Sequence, residues 1–221
     1  MTQRLNLSHL CLKSMHMPLE ADPEQLKKTA KKVRNAGIDL YGTGVIYMKT
    51  EDEVVNAFQY ADSADLRVII GVPNPELLPL VEEQVQKYDI TLAIHNHGPG
   101  DDIYPGPDTI YEKIKTLDKR IGICMDIGHT RRIEQNPAAM AIKYAERIYD
   151  IHLKDVDKIG AEGESVEFGR GIVDIPTFIT SMKKINFQGI LSIEYEKDPD
   201  DPMTGLAESV GYSRGILDML G

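Results

Sequence analysis

Four short, mainly apolar runs in this 221-residue chain end in side chains that hold metal ions or move protons. Leu92-Ala-Ile runs into His95-Asn96-His97, and residues 121–125 run into Asp126, with Gly128 and His129 beyond it. Tyr149-Asp-Ile leads to His152-Leu-Lys154-Asp155, and Leu191-Ser-Ile leads to Glu194-Tyr195-Glu196. Ionised groups rarely end an apolar run unless something compensates their charge. His95, Asp126, His152 and Glu194 together make a set of two imidazoles and two carboxylates. That mixture suits Mn²⁺, Zn²⁺ or Co²⁺ better than a purely hard oxygen-seeking ion.

A divalent ion at such a set polarises a carbonyl and its neighbouring hydroxyl, which lowers the cost of an enediolate. Glu194 is the best placed base to take the proton from carbon, with His95, or else His97, as the group that returns it from the other side. Isomerisation or epimerisation of a small sugar, sugar phosphate or keto-sugar follows. A hydroxyl β to the carbanion would turn the same first step into water loss, the reaction of a dehydratase or lyase. A barrel that binds carbohydrate without catalysis is the third reading.

Several residues near these runs could touch the substrate. Lys154 would clamp an anion or hydroxyl, or else simply satisfy Asp126 or Glu196. His97 and His129 could orient a ligand or lie against substrate. Lys13 and His16 follow the first strand and could line the same mouth. Arg170, in Phe168-Gly-Arg-Gly171, could close over a phosphate or carboxylate, and Tyr104 is a weaker lid candidate.

The elements that must position these residues alternate regularly. Strands are expected over residues 5–12, 39–47, 67–72, 90–97, 121–127, 149–154 and 189–196, with helices after each. Asp22-Pro23, Thr50 with Glu53, Asn136-Pro137 and Asp174 with Pro176 mark helix starts. Residues 155–171 read as the longest irregular stretch. The alternation demands parallel strands joined by right-handed crossovers. No Gly-x-Gly-x-x-Gly or phosphate loop follows any strand, and polar strand ends recur on four strands, which favours the mouth of a barrel over an open doubly wound sheet. The expectation is one α/β domain over residues 1–221, a TIM-barrel-like (β/α) barrel that is incomplete with seven strands.

Composition agrees. The hydrophobic fraction is 42% and the formal charge is −10, which opposes a phosphate backbone and so speaks against nucleic acid. No apolar run approaches the roughly 18 residues of a membrane span. Residues 1–6 lack the basic and apolar regions of a secretory signal. Two cysteines within apolar stretches suit reduced thiols, and a cytoplasmic chain is expected.

The ordered series Ala93-Ile-His-Asn-His-Gly98, Met125-Asp-Ile-Gly-His129, His152-Leu-Lys-Asp155, Phe168-Gly-Arg-Gly171 with Asp174, and Gly189-Ile-Leu-Ser-Ile-Glu-Tyr-Glu196 resembles the xylose-isomerase-like barrel superfamily. That superfamily holds sugar phosphate isomerases and epimerases, inosose dehydratases, hydroxypyruvate isomerases and endonuclease IV. The resemblance covers the C-terminal two thirds. It implies a metal held by Glu, Asp, His and Glu from four late strand ends, of which Asp126, His152 and Glu194 carry over. The first familial glutamate falls at His95, a departure that replaces one of the two acid/base glutamates of the epimerases. Members also begin with a strand and helix before a stretch like residues 5–17. The resemblance therefore implies that the first β/α unit is absent, leaving an exposed edge that invites pairing into a homo-oligomer.

Overall fold

Burial and helix-start chemistry place most elements where the alternation predicts them. The computed structural model describes residues 1–221. In chain order the elements are β1 (His9–Leu12), α1 (Pro23–Asn35), β2 (Asp39–Met48), α2 (Glu51–Ser63), β3 (Val68–Pro73), α3 (Leu78–Tyr88), β4 (Thr91–His95), α4 (Pro107–Ile114) and β5 (Ile121–Asp126). They continue as α5 (Ile127–Arg132), α6 (Pro137–Lys143), β6 (Ile148–Leu153), β7 (Asp155–Val156), β8 (Ser165–Val166), α7 (Ile175–Lys184), β9 (Ile190–Ile193) and α8 (Met203–Leu220). Seven strands hydrogen-bond in the order β1-β2-β3-β4-β5-β6-β9, while β7 and β8 form a separate antiparallel pair. No helix is long and apolar enough to cross a membrane.

By contact the chain divides into two compact units, Met1–His95 with Lys113–Ile123, and Asn96–Glu112 with Cys124–Gly221. In the first unit β1/β2, β2/β3 and β3/β4 pair in parallel. Their centre is mostly apolar: Leu40, Ile69, Ile70, Leu92, Ala93 and Ile94 are all fully buried. Strands covered on both faces read as continuous apolar runs, which is why β3 and β4 were legible. Gly44 sits at φ +150° where β2 crosses Ile70 so closely that a Cβ would strike the Ile70 carbonyl. Helix starts are set chemically. The Asp22 carboxylate accepts from Gln25 N at 2.8 Å, and Thr50 and Glu53 complete a reciprocal capping box.

The second unit holds the end of β5, with β6 and β9 parallel and in register at His152 opposite Ser192 and Leu153 opposite Ile193. Glu194 N donates to Leu153 O at 3.0 Å, so the pairing carries one step beyond β9 and sets Glu194 beside the end of β6. Asn136 and Asp174 cap α6 and α7 as expected.

Four details differ from the sequence expectation. Residues 2–5 form a 3₁₀ turn ended by Asn6 in the left-handed region, so the first strand begins only at His9. β4 stops at His95 and β9 at Ile193, leaving Asn96, His97 and residues 194–196 outside the strands. A short helix, α5, starts directly at the end of β5. The stretch from residue 155 to 171 contains the β7–β8 hairpin, folded around one carboxylate. Asp155 is buried and accepts from the backbone N–H groups of Val156, Gly169, Gly171 and Val173 at 2.9, 2.9, 3.0 and 3.1 Å. A Cβ at residue 171 would collide with that carboxylate, which accounts for Gly171.

Candidate functional site

The ends of β5, β6 and β9 in the second unit carry a buried ionic cluster. Asp126 ends β5 and caps α5: one carboxylate oxygen accepts from His129 N at 2.7 Å. Asn96 fixes its backbone, accepting from Asp126 N at 3.0 Å and donating to Asp126 O at 3.2 Å. The other carboxylate oxygen, Oδ2, lies 3.2 Å from Lys154 Nζ and 3.8 Å from His129 Nε2. On β6, His152 presents Nδ1 to Glu194 Oε2 at 2.9 Å. Asp126, His152 and Glu194 each offer a donor atom, and these atoms lie within 4.8 Å of one another.

Lys154 is the cation of this cluster. It is only 2% exposed, and its ammonium lies 2.8 Å from Glu196 Oε2 and 3.3 Å from Glu194 Oε2 besides its contact with Asp126. Burial disfavours the ammonium, but Asp126, Glu194 and Glu196 outweigh it and hold the pKa above the ordinary lysine value. Its stem crosses α5 at Gly128, where a Cβ would come within 2.7 Å of Lys154 Cγ. Glycine is needed there for the lysine to reach the carboxylates.

The histidines differ in state. Burial, reinforced by Lys154 and Arg132, pulls His129 down to about 3, so its ring is neutral. Arg132 donates to His129 Nδ1 at 3.0 Å, and Lys154 Nζ sits 3.3 Å from Nε2. For His152 burial also favours the neutral ring, but Glu194 and then Asp150 more than offset it, and the pKa is raised. His97 lies 3.2 Å through Nδ1 from Asp101, with its ring centre 6.0 Å from that of His129. Burial lowers the His97 pKa against the pull of Asp101.

The remaining sequence candidates are placed as follows. His95 closes β4 in the first unit and is buried, bonded directly to the Asn96 that fixes Asp126. Lys13 and His16 lie on the exposed turn after β1, also in the first unit. Arg170 is exposed and forms a two-pronged pair with Glu208 of α8 at 2.7 and 2.8 Å. Tyr104 is fully buried, a core residue of its unit and not a lid. Sequence reasoning passed over Asp150, which lies fully buried on β6 two residues before His152. It also gave Asp155 no role in shaping the Phe168–Gly171 loop. The period of two from His152 was the signal for Asp150, and the glycines at 169 and 171 were the signal for Asp155.

Residues 76–216, more than half of the chain, match the family described as xylose isomerase-like TIM barrel. The chain belongs to that family. The match agrees with the barrel expected from the alternation of strands and helices and with the superfamily that the ordered motifs resemble. Among curated relatives, this family member is 27% identical to the rhizopine catabolism protein MocC of Rhizobium meliloti over 139 residues, 55% of this chain and 42% of that protein. It is 28% identical to an inosose dehydratase of Clostridium beijerinckii over 99 residues, 38% of this chain and 33% of that protein. The chain thus spans less than half the length of these curated relatives. Among solved structures it is similar to a D-tagatose 3-epimerase-like protein, with a TM-score of 0.77, 19% identity and coverage of 97% of this chain and 90% of the other. It is also similar to IolI with a bound zinc atom, with a TM-score of 0.73, 12% identity and coverage of 99% and 90%.

Proposed function

We propose that this chain is a divalent-metal-dependent isomerase or epimerase of a small sugar, sugar phosphate or keto-sugar, moving a proton at the carbon beside a carbonyl. The observation that carries the reading is the buried trio of Asp126, His152 and Glu194 at the ends of adjacent strands. His95 would be the fourth ligand, as its place at the buried end of the apolar strand β4 suggests. The donors fit a divalent ion, because two imidazoles give borderline nitrogen ligation and two carboxylates balance the charge, as Mn²⁺, Zn²⁺ or Co²⁺ require. When bound, such an ion would polarise the substrate carbonyl and its neighbouring hydroxyl.

The side chains supply the rest. Glu194 would take the proton from carbon, its Oε2 held by Lys154 Nζ at 3.3 Å. His95 would return a proton from the opposite side. Lys154 holds Asp126 and Glu194 in place, and with the neutral rings of His129 and His97 it would contact substrate hydroxyls. Both cysteines are free thiols, which suits work in a reducing compartment such as the cytoplasm.

Likeness to two inosose dehydratases, at 28% and 26% identity over parts of the chain, favours a second reading in which the same proton abstraction expels water from a keto-cyclitol. One experiment separates the readings: metal analysis of the purified protein, then incubation in D₂O with ketoses, keto-sugars and keto-cyclitols, followed by mass spectrometry. Deuterium gained with composition retained supports the isomerase, and loss of water supports the dehydratase. Glu194→Gln should lower either rate by roughly 10²- to 10⁴-fold. A fully metal-loaded protein with neither outcome would leave only a carbohydrate-binding role.

A further inference from the structure

Asp150 is a fully buried carboxylate with no part in the chemistry above. Strand alternation puts it on the same face of β6 as His152, one layer deeper. Its Oδ1 is 3.8 Å from His152 Nε2, and Cys124 Sγ on β5 donates to the same oxygen at 3.8 Å. The opposite nitrogen of the ring, Nδ1, faces Glu194 at 2.9 Å. The imidazole therefore lies between two carboxylates with different placements. Glu194 belongs to the trio whose donors lie within 4.8 Å, whereas Asp150 faces the other ring nitrogen, Nε2.

An imidazole that gives one nitrogen to a cation carries its proton on the other, and a carboxylate accepting that proton fixes both the tautomer and the plane of the ring. A carboxylate buried this deeply is costly unless it is compensated. We propose that Asp150 is a positioning residue. It keeps the His152 proton on Nε2, so that Nδ1 is the nitrogen offered to the divalent ion. This inference rests on the metal reading of Asp126, His152 and Glu194. The 3.8 Å separation is longer than a hydrogen bond. Ion binding at Nδ1 would release that nitrogen from Glu194, and the ring would move toward Asp150 to close the gap.

The test is long-range ¹⁵N–¹H NMR of protein labelled at histidine nitrogen, recorded with Zn²⁺, beside Zn²⁺ titration against a competing chelator. Wild-type protein should bind Zn²⁺ with His152 protonated at Nε2 and ligated through Nδ1. Asp150→Asn should fold and bind Zn²⁺ about 10- to 100-fold more weakly, the range for loss of a partner behind a ligand. Ligation through Nε2 in wild-type protein overturns the assignment while leaving the metal reading intact, and needs no variant to fold. Equal Zn²⁺ affinity in folded Asp150→Asn also overturns it. Failure of wild-type protein to bind Zn²⁺, Mn²⁺ or Co²⁺ overturns the metal reading itself, and this inference with it.

Discussion

Replacing Lys154 with methionine keeps most of the length and apolar character of the stem, one atom shorter, and removes the charge. The ammonium lies 3.2 Å from Asp126 Oδ2 and 3.3 Å from Glu194 Oε2. At an effective dielectric of about 20 each contact is worth about 5 kcal/mol before desolvation is counted. Desolvating the three groups offsets most of this attraction. What the variant exposes is therefore the cost of leaving carboxylates buried together with no cation, about 3–5 kcal/mol. Glu196 adds little, being 48% exposed and able to turn into solvent. For a chain of this size each kcal/mol moves Tm by about 2–4 °C, so metal-free Lys154→Met should melt roughly 6–20 °C below wild type. A divalent ion at the trio should replace much of the lost charge. At about 100 times its Kd it would restore about 2.7 kcal/mol, and the variant should bind it more tightly than wild type does. Chelated and metal-titrated thermal and urea melts of both proteins measure all three quantities. Equal stability without metal, or equal metal affinity, would refute the view that Lys154 is the resident counter-ion of Asp126 and Glu194.

His129 is held neutral with a pKa near 3, while in the unfolded chain it protonates near 6.5. Between those values the unfolded state binds more protons, so stability falls as pH drops, by up to about 1.4 kcal/mol per pH unit for one site. Urea melts from pH 7 to 5 should show a shallower slope for His129→Asn, the remainder coming in part from His97; an unchanged slope contradicts the assignment. Asp155→Ala removes the acceptor of four backbone N–H groups and should cost at least about 3 kcal/mol. It should also speed protease cleavage within residues 157–171. Wild-type stability and cleavage together would show that the loop is held by something else.

What the sequence revealed depends on whether a residue's role is local. Asp22, Thr50 with Glu53, Asn136 and Asp174 act within one turn, and all four cap the helices expected of them. The apolar runs of β3, β5 and β6 were equally plain, because burial on both faces leaves little else in the pattern. The first strand was overextended because Asn6 in the left-handed region breaks it, and nothing in the apolar pattern marks that break. The β7–β8 pair escaped because two-residue strands have no period to detect. Its organiser, Asp155, acts across 14 to 18 residues on N–H groups that any sequence possesses.

The site shows the same division more sharply. Asp126 was legible as a buried carboxylate after an apolar run, but its two oxygens do different work: one caps α5 and the other faces Lys154. Reading it only as a ligand leaves out the helix that begins there and carries His129. The converse holds at Asp150, an ionisable residue inside β6 that a reading of strand ends passes over. Asp150 and His152 alternate along one face of β6 with Lys154 just past its end: Asp150 meets Cys124, His152 meets Glu194, and Lys154 meets Asp126, Glu194 and Glu196. Polarity that recurs every second residue from a strand interior to its end is therefore one column of side chains. An ionisable residue below a candidate ligand should be read as that ligand's support before it is dismissed as an interruption of the core.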